Sequence, residues 1–146
     1  MTQIHGWAAD PAALTAFLAE PNLARVATID EHGEPHVVPV WYAWDGGRVL
    51  IGTDAADHKV DNLRRSGRAS VEIDSDLRRK RGILVRGDAT LVDGEAGRGL
   101  YLRISELQVR RYQPDKPAAE IAARMASRGT PVVIAIEPRS IVSWGR

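Results

Sequence analysis

The chain has 146 residues, enough for one domain around one core, and 44% of them are hydrophobic. Its 20 basic and 19 acidic residues leave a formal charge of +1, so no global field draws it to nucleic acid or to a membrane surface. There is no cysteine, which excludes disulfides, thiolate metal sites and cysteine nucleophiles and fits a reducing cytoplasm. Met1 to Ala9 has neither a basic region nor a long apolar run, so no secretory signal is expected. The longest apolar runs are far too short to cross a bilayer, and no membrane insertion is expected.

Asp10-Pro11 opens a helix, with Asp as N-cap and Pro at the first position, and Leu14, Phe17 and Leu18 form its apolar stripe. The helix ends near Glu20-Pro21 and suits one end of a barrel or sheet. Leu23 to Asp30 reads as a strand, residues 31–35 as a turn, and His36 to Trp44 as a second strand. Pro39 inside that strand argues for an edge, a bulge or a ligand-facing kink. Asp45-Gly46-Gly47 is a hairpin turn into a third strand, Arg48 to Thr53. Arg68 to Asp74 alternates, with Ala69, Val71 and Ile73 on one face. Residues 77–82 form a basic turn, and Ile83 to Val92 is a long strand with Gly87 as a candidate bulge. Glu95 to Gln113 is helical, with Ala96, Leu100, Ile104 and Leu107 at helix spacing. Residues 114–117 break it, Ala118 to Ser127 is a further helix, and Pro131 to Trp144 is the last strand. The expected fold is mainly β, with six mostly antiparallel strands in a closed or partly closed barrel and peripheral helices, in one domain over 1–146.

The chain is organised around Val49 to Ser70. A strand ends at Gly52-Thr53, Asp54 and Asp57 are both candidate N-caps, Val60 and Leu63 give a short helix one apolar face, and Gly67 closes it. Thr53 and Lys59 bracket the helix start. A helix N-terminus offers unpaired N–H groups and partial positive charge, so this hydroxyl and ammonium, with His58, suit a phosphate. The same pattern also suits a capped surface helix with a solvated lysine. His5, His32, His36 and His58 lack metal-ligand spacing, and no metal is expected. Neither G-x-S-x-G nor a P-loop is present, and Gly97 and Gly99 lie in a helical pattern rather than after a strand. The run Arg78 to Arg81 lacks interleaved aromatics and reads as a solvated hairpin tip rather than a nucleic-acid contact.

Three segments carry a family resemblance. They are A-T-I-D-E-H-G-E-P-H-V-V-P-V-W-Y (27–42), G-R-V-L-I-G-T-D-A-A-D-H-K-V-D-N-L-R-R-S-G-R-A-S-V (47–71) and G-I-L-V-R-G-D-A-T-L-V (82–92). Together with I-E-P-R-S-I-V-S-W at the end, they resemble the pyridoxamine 5′-phosphate oxidase-like superfamily of split β-barrel flavin and deazaflavin proteins. The most specific piece is Thr53 followed by Lys59 and then N-L-R-R. The resemblance implies an FMN-binding type of split barrel in which Thr53 and Lys59 bind the cofactor phosphate. His58 stands at another phosphate contact, and His36 where the oxidase branch has an arginine. Pro39, Val40, Trp41 and Tyr42 match the strand beside the tricyclic ring. Trp41 replaces a lysine of the oxidase branch, so an ionic contact is lost there. Trp41, Tyr42 and Trp44 are alternatively barrel core. Arg86 departs from a glutamate common in relatives.

The resemblance also implies a homodimer with cofactor at the interface, to which Trp144, Arg146, Tyr101 and Arg103 contribute from the second subunit. The P-V-W and T-D-A-A-D-H-K segments and the short length are similar to deazaflavin-dependent reductases. Arg64, Arg65 and Arg78 to Arg81 offer a basic track for the oligoglutamate tail of coenzyme F-420, though such a patch is also an ordinary solvated face. The implied activity is hydride transfer from reduced F-420 to a small conjugated or quinone-like substrate, with Tyr42, His36 or solvent supplying the proton. An FMN-dependent oxidoreductase and a non-catalytic flavin-binding protein are the alternatives. Pyridoxamine phosphate oxidation itself is not expected, because a second phosphate site for that substrate is missing from the pattern.

Overall fold

The computed structural model describes residues 2–75 and 80–145. In chain order it contains β1 (Gln3–His5), a 3-10 turn (Trp7–Ala9), α1 (Pro11–Ala19), β2 (Leu23–Ile29), β3 (Pro35–Val40), β4 (Ala43–Asp45) and β5 (Arg48–Asp54). Then follow α2 (His58–Ser66), β6 (Arg68–Asp74), β7 (Gly82–Val92), α3 (Gly94–Tyr112), α4 (Ala118–Ala126) and β8 (Pro131–Trp144). The strands form one sheet in the order β3-β2-β6-β7-β8-β5-β4, curled into a split barrel, with β1 added in parallel to β8. The remaining pairings are antiparallel, as the short hairpin links require.

Among the described residues eight strands replace the six expected. β1 comes from residues too few to carry a periodic signal. The segment 36–44, expected as one strand, splits after Val40. β3 pairs with β2 at one edge of the strand order, while β4 pairs with β5 at the other, so the chain crosses the barrel mouth through Trp41-Tyr42. Pro39 is exposed on the edge strand, where its missing N–H interrupts no ladder. Tyr42 turns fully inward and donates its hydroxyl to the Leu18 carbonyl at 3.0 Å.

The apolar run Val132–Ile136 is buried on both faces. Ile134 and Ile136 point into the barrel with Val26, Val71, Ile73 and Val85, whereas Val133 and Ala135 meet Tyr101 and Ile104 of α3 and Ala126 of α4. Gly87 does mark a bulge: Arg86 pairs with Ser140 and Gly87 with Pro138, leaving Arg139 as the extra residue of β8. A Cβ at Gly87 would stand 2.3 Å from the Glu137 carbonyl oxygen, so only glycine lets the strands approach this closely. The apolar stripe of α3 is rotated from the expected one: Leu107 is exposed, and the buried face carries Tyr101, Ile104, Ser105, Gln108 and Val109. Spacing alone missed this because two polar residues share that face.

α1 starts as read, with the Asp10 carboxylate accepting from the Ala12 N–H at 3.0 Å. It plugs one barrel end through Phe17 and Leu18. Trp7 packs edge-on to Phe17 with centroids 5.0 Å apart, and the Arg81 guanidinium lies 4.2 Å above the Trp7 ring. Phe17→Ala should therefore lower unfolding free energy by roughly 3–5 kcal/mol. Arg81→Ala should cost about 1 kcal/mol. Urea unfolding of the two variants beside the parent measures both.

Candidate functional site

The site lies where β5 stops and α2 starts. Thr53 pairs with Val132 and Asp54 with Pro131, so this corner is held by the first residues of β8. The Asp54 carboxylate accepts from the Ala56 N–H at 2.8 Å and from the Thr130 N–H at 3.2 Å. A Cβ at Gly129 would fall 1.5 Å from that carboxylate, so the loop before β8 requires glycine to close onto the corner. Asp54 therefore shapes the turn, and Asp57 is the N-cap residue of α2.

Asp57 makes no side-chain hydrogen bond to the amides of its own helix. Its Oδ2 instead accepts from the Thr53 hydroxyl, from Lys59 Nζ at 3.1 Å and from the Asp54 N–H at 3.3 Å. Thr53 is buried and the Lys59 side chain only 12% exposed, while that of Asp57 is 44% exposed. A hydroxyl, an amide and an ammonium thus converge on one anionic oxygen at a helix N-terminus. The convergence of Thr53 and Lys59 was legible in the sequence. The part of Asp57 was not, since an aspartate there reads as an ordinary N-cap.

Two hollows flank this corner. One, of about 220 Å³, is lined by Thr53, Asp54, Tyr101, Met125, Arg128 and Gly129 among others. Burial pushes the Tyr101 phenol up. The other, of about 460 Å³, is lined by Asp30, Glu31, His36, His58, Asp61, Asn62 and Arg65. His36 and His58 stand 6.4 Å apart between ring centroids, and His36 Nδ1 is buried with no hydrogen-bond partner among the described residues. Asn62 fixes this wall: its amide donates to Thr28 Oγ1 at 3.0 Å inside the core, and its oxygen accepts from Arg65 at 2.6 Å. This buried Asn is what the N-L-R-R segment supplies. A further hollow, about 630 Å³ near Glu20, Arg25 and Asp74, lies at the opposite end of β2 from His36. Among the described residues, no group of three His, Asp or Glu is placed to hold a metal ion, and no helix is long and apolar enough to cross a membrane.

A family model described as pyridoxamine 5′-phosphate oxidase matches residues 11–144. The chain belongs to the pyridoxamine 5′-phosphate oxidase family. It is thereby a member of a superfamily of flavin-binding oxidoreductases. Among solved structures, a conserved hypothetical protein from Mycobacterium tuberculosis is 27% identical with a TM-score of 0.77, covering 92% of this chain and 83% of its own. An F-420 reductase is 23% identical with a TM-score of 0.64, covering 86% and 93%. A pyridoxamine 5′-phosphate oxidase-related, FMN-binding protein from Nostoc punctiforme is 15% identical with a TM-score of 0.62, covering 87% and 78%. No curated protein matches the chain.

Within this family fold the remaining candidate residues are scattered. Val40 packs against the barrel core. Trp41 stacks on Tyr112 of α3, with centroids 5.0 Å apart and planes 17° apart. Tyr42 is core and cannot serve as proton donor: burial pushes its phenol well above the ordinary value, and its proton is held by Leu18. Arg64 is exposed on α2. Arg78 and Arg79 lie outside the described residues, as does Arg146. Arg81 follows the far end of β6 from Arg65, roughly 23 Å of strand away at about 3.3 Å per residue, and sits on Trp7, so among the described residues it stands apart from Arg64 and Arg65. Trp144 closes β8 opposite Gly82, on the order of 40 Å along the strand from the partner of Thr53.

Burial pushes the Asp57 carboxyl up, but the hydrogen bonds from Thr53 and Lys59 and the charge of Lys59 outweigh it, and the net shift is downward. A carboxyl depressed in the folded state contributes stability above its unfolded pKa, which is lost as pH falls through the folded value. Carboxyl-carbon NMR should show Asp57 titrating below about 3.9, the ordinary aspartate value. Lys59→Ala should move that titration upward and remove part of the stability change below pH 4 measured by acid unfolding.

Proposed function

We propose that this protein is a coenzyme F-420-dependent reductase that passes hydride to a small conjugated or quinone-like substrate. The observation that carries the reading is the convergence of Thr53 Oγ1, the Asp54 N–H and Lys59 Nζ on a single anionic oxygen at the N-terminus of α2. These donors fit a phosphate, because they already satisfy a carboxylate in that position and α2 adds the partial positive charge of its N-terminus. The likeness to an F-420 reductase supports the deazaflavin over FMN, and FMN-dependent oxidoreduction is the second reading, favoured by the likeness to the FMN-binding protein.

The cofactor supplies the redox chemistry, a two-electron hydride transfer to an electron-poor carbon. Thr53 and Lys59 anchor its phosphate. His58, His36 and Arg65 wall the adjoining hollow, where His36 is the side chain placed to handle a proton and solvent is the other source. Arg64 and Arg65, exposed in the last turn of α2, are the cations that would take the oligoglutamate tail. Pro39, Val40 and Trp41 lead from the edge strand towards α3 and are assigned to the ring side. Leu23, Ile29 and Val37 are exposed on β2 and β3, which supports a homodimer. Trp144 then serves the site of the other protomer, since its own is too far along β8.

Side-by-side titration with F-420 and FMN tests the reading. F-420 should bind more tightly and with the stronger salt dependence. Lys59→Ala should lose one charge-assisted contact, roughly 1.5–3 kcal/mol or on the order of 10- to 100-fold in affinity. Tighter FMN binding moves the protein to the second reading. Unchanged binding in Lys59→Ala removes the phosphate assignment.

A further inference from the structure

Resting on the phosphate reading of Thr53 and Lys59, we infer that Asp57 is a tethered competitor that occupies the phosphate donors in the free protein and is displaced to the helix cap when phosphate enters. Three observations lead there. One oxygen, Oδ2, accepts from Thr53 Oγ1, the Asp54 N–H and Lys59 Nζ; the hydroxyl and the amide have one proton each, so a phosphate oxygen and this carboxylate cannot both hold those two. Asp57 has the backbone of an N-cap, φ −69° and ψ 144°, yet leaves its own helix amides without a side-chain partner. An N-cap aspartate ordinarily accepts from those amides, so the cap is an alternative position one side-chain rotation away. Finally, its side chain is 44% exposed, whereas Lys59 is 12% exposed, so the carboxylate is the member free to leave.

The exchange has a chemical consequence. In the free protein the ammonium and the hydroxyl are neutralised internally and do not stand as a bare anion trap. A ligand must engage more of these donors than one carboxylate oxygen does to displace it, which favours a phosphate, with its several acceptor oxygens, over carboxylates of similar size. Asp57 is thus a specificity-determining residue, and it lowers phosphate affinity while holding Thr53 and Lys59 in place.

Isothermal titration of the parent, Asp57→Asn, Asp57→Ser and Lys59→Ala with F-420, FMN and riboflavin separates the possibilities. Asp57→Asn should bind F-420 and FMN on the order of tenfold more tightly, the effect of removing one competing charge-assisted contact. Riboflavin, which lacks the phosphate, should bind the parent and Asp57→Asn equally, a result that a merely structural change would not give. Asp57→Ser keeps a capping hydroxyl and should behave likewise even where the Asn variant folds poorly. Equal or weaker phosphate-cofactor binding in the Asn and Ser variants, with Lys59→Ala still defective, overturns the competitor and leaves the phosphate site standing. Undiminished binding in Lys59→Ala overturns both.

Discussion

The double burial of the first half of β8 is the constraint on which the rest of the structure depends. Residues 132–136 must present apolar atoms to the barrel and to α3 and α4 at once, so neither layer can be moved without exposing the other. The second half of the same strand faces different demands, with Glu137 and Arg139 exposed and Ile141 buried. The bulge opposite Gly87 lies between the two regimes. It adds one residue to β8 and shifts the alternation of side chains, which is how a single strand changes from two-sided to one-sided burial.

The site inherits its position from that strand. β5 pairs with β8 up to Asp54 and Pro131, and the chain can go no further as sheet because β8 begins there. The turn that follows is fastened from both sides, by Asp54 to Thr130 and by the close approach of Gly129. α2 is then pinned from below by Asn62 on Thr28. A helix N-terminus held rigidly beside a strand end suits an anion, because its amides are aimed before the ligand arrives.

The charge pattern of the corner separates two tasks. Thr53, Asp57 and Lys59 form a closed, nearly neutral group, while His36, His58 and Arg65 line a wider hollow on the other side of α2. Neighbouring residues in sequence, His58 and Lys59, are thus divided between the two. Consecutive positions on a helix point about 100° apart, so these sequence neighbours face different hollows.

Much of this was legible in the chain itself. The period-2 alternation of Arg68 to Asp74, the Gly46-Gly47 hairpin, the Asp10-Pro11 helix start and the Thr53 to Lys59 spacing each reflect local physics, and local physics is written in neighbouring residues. The resemblance across 27–42, 47–71 and 82–92 then named the family that the whole-chain match bears out. Other features depend on partners far away in sequence. The break at Trp41-Tyr42 is set by barrel geometry, which sends β3 and β4 to opposite edges. The buried face of α3 is set by what β5 and β8 present to it, so Leu107 turns outward despite its apolar side chain. Asp57 carries the same residue type whether it caps its helix or bonds Thr53 and Lys59. Only the approach of the β5 end to α2 chooses between them, because the choice depends on which donors stand within hydrogen-bond reach of one carboxylate oxygen.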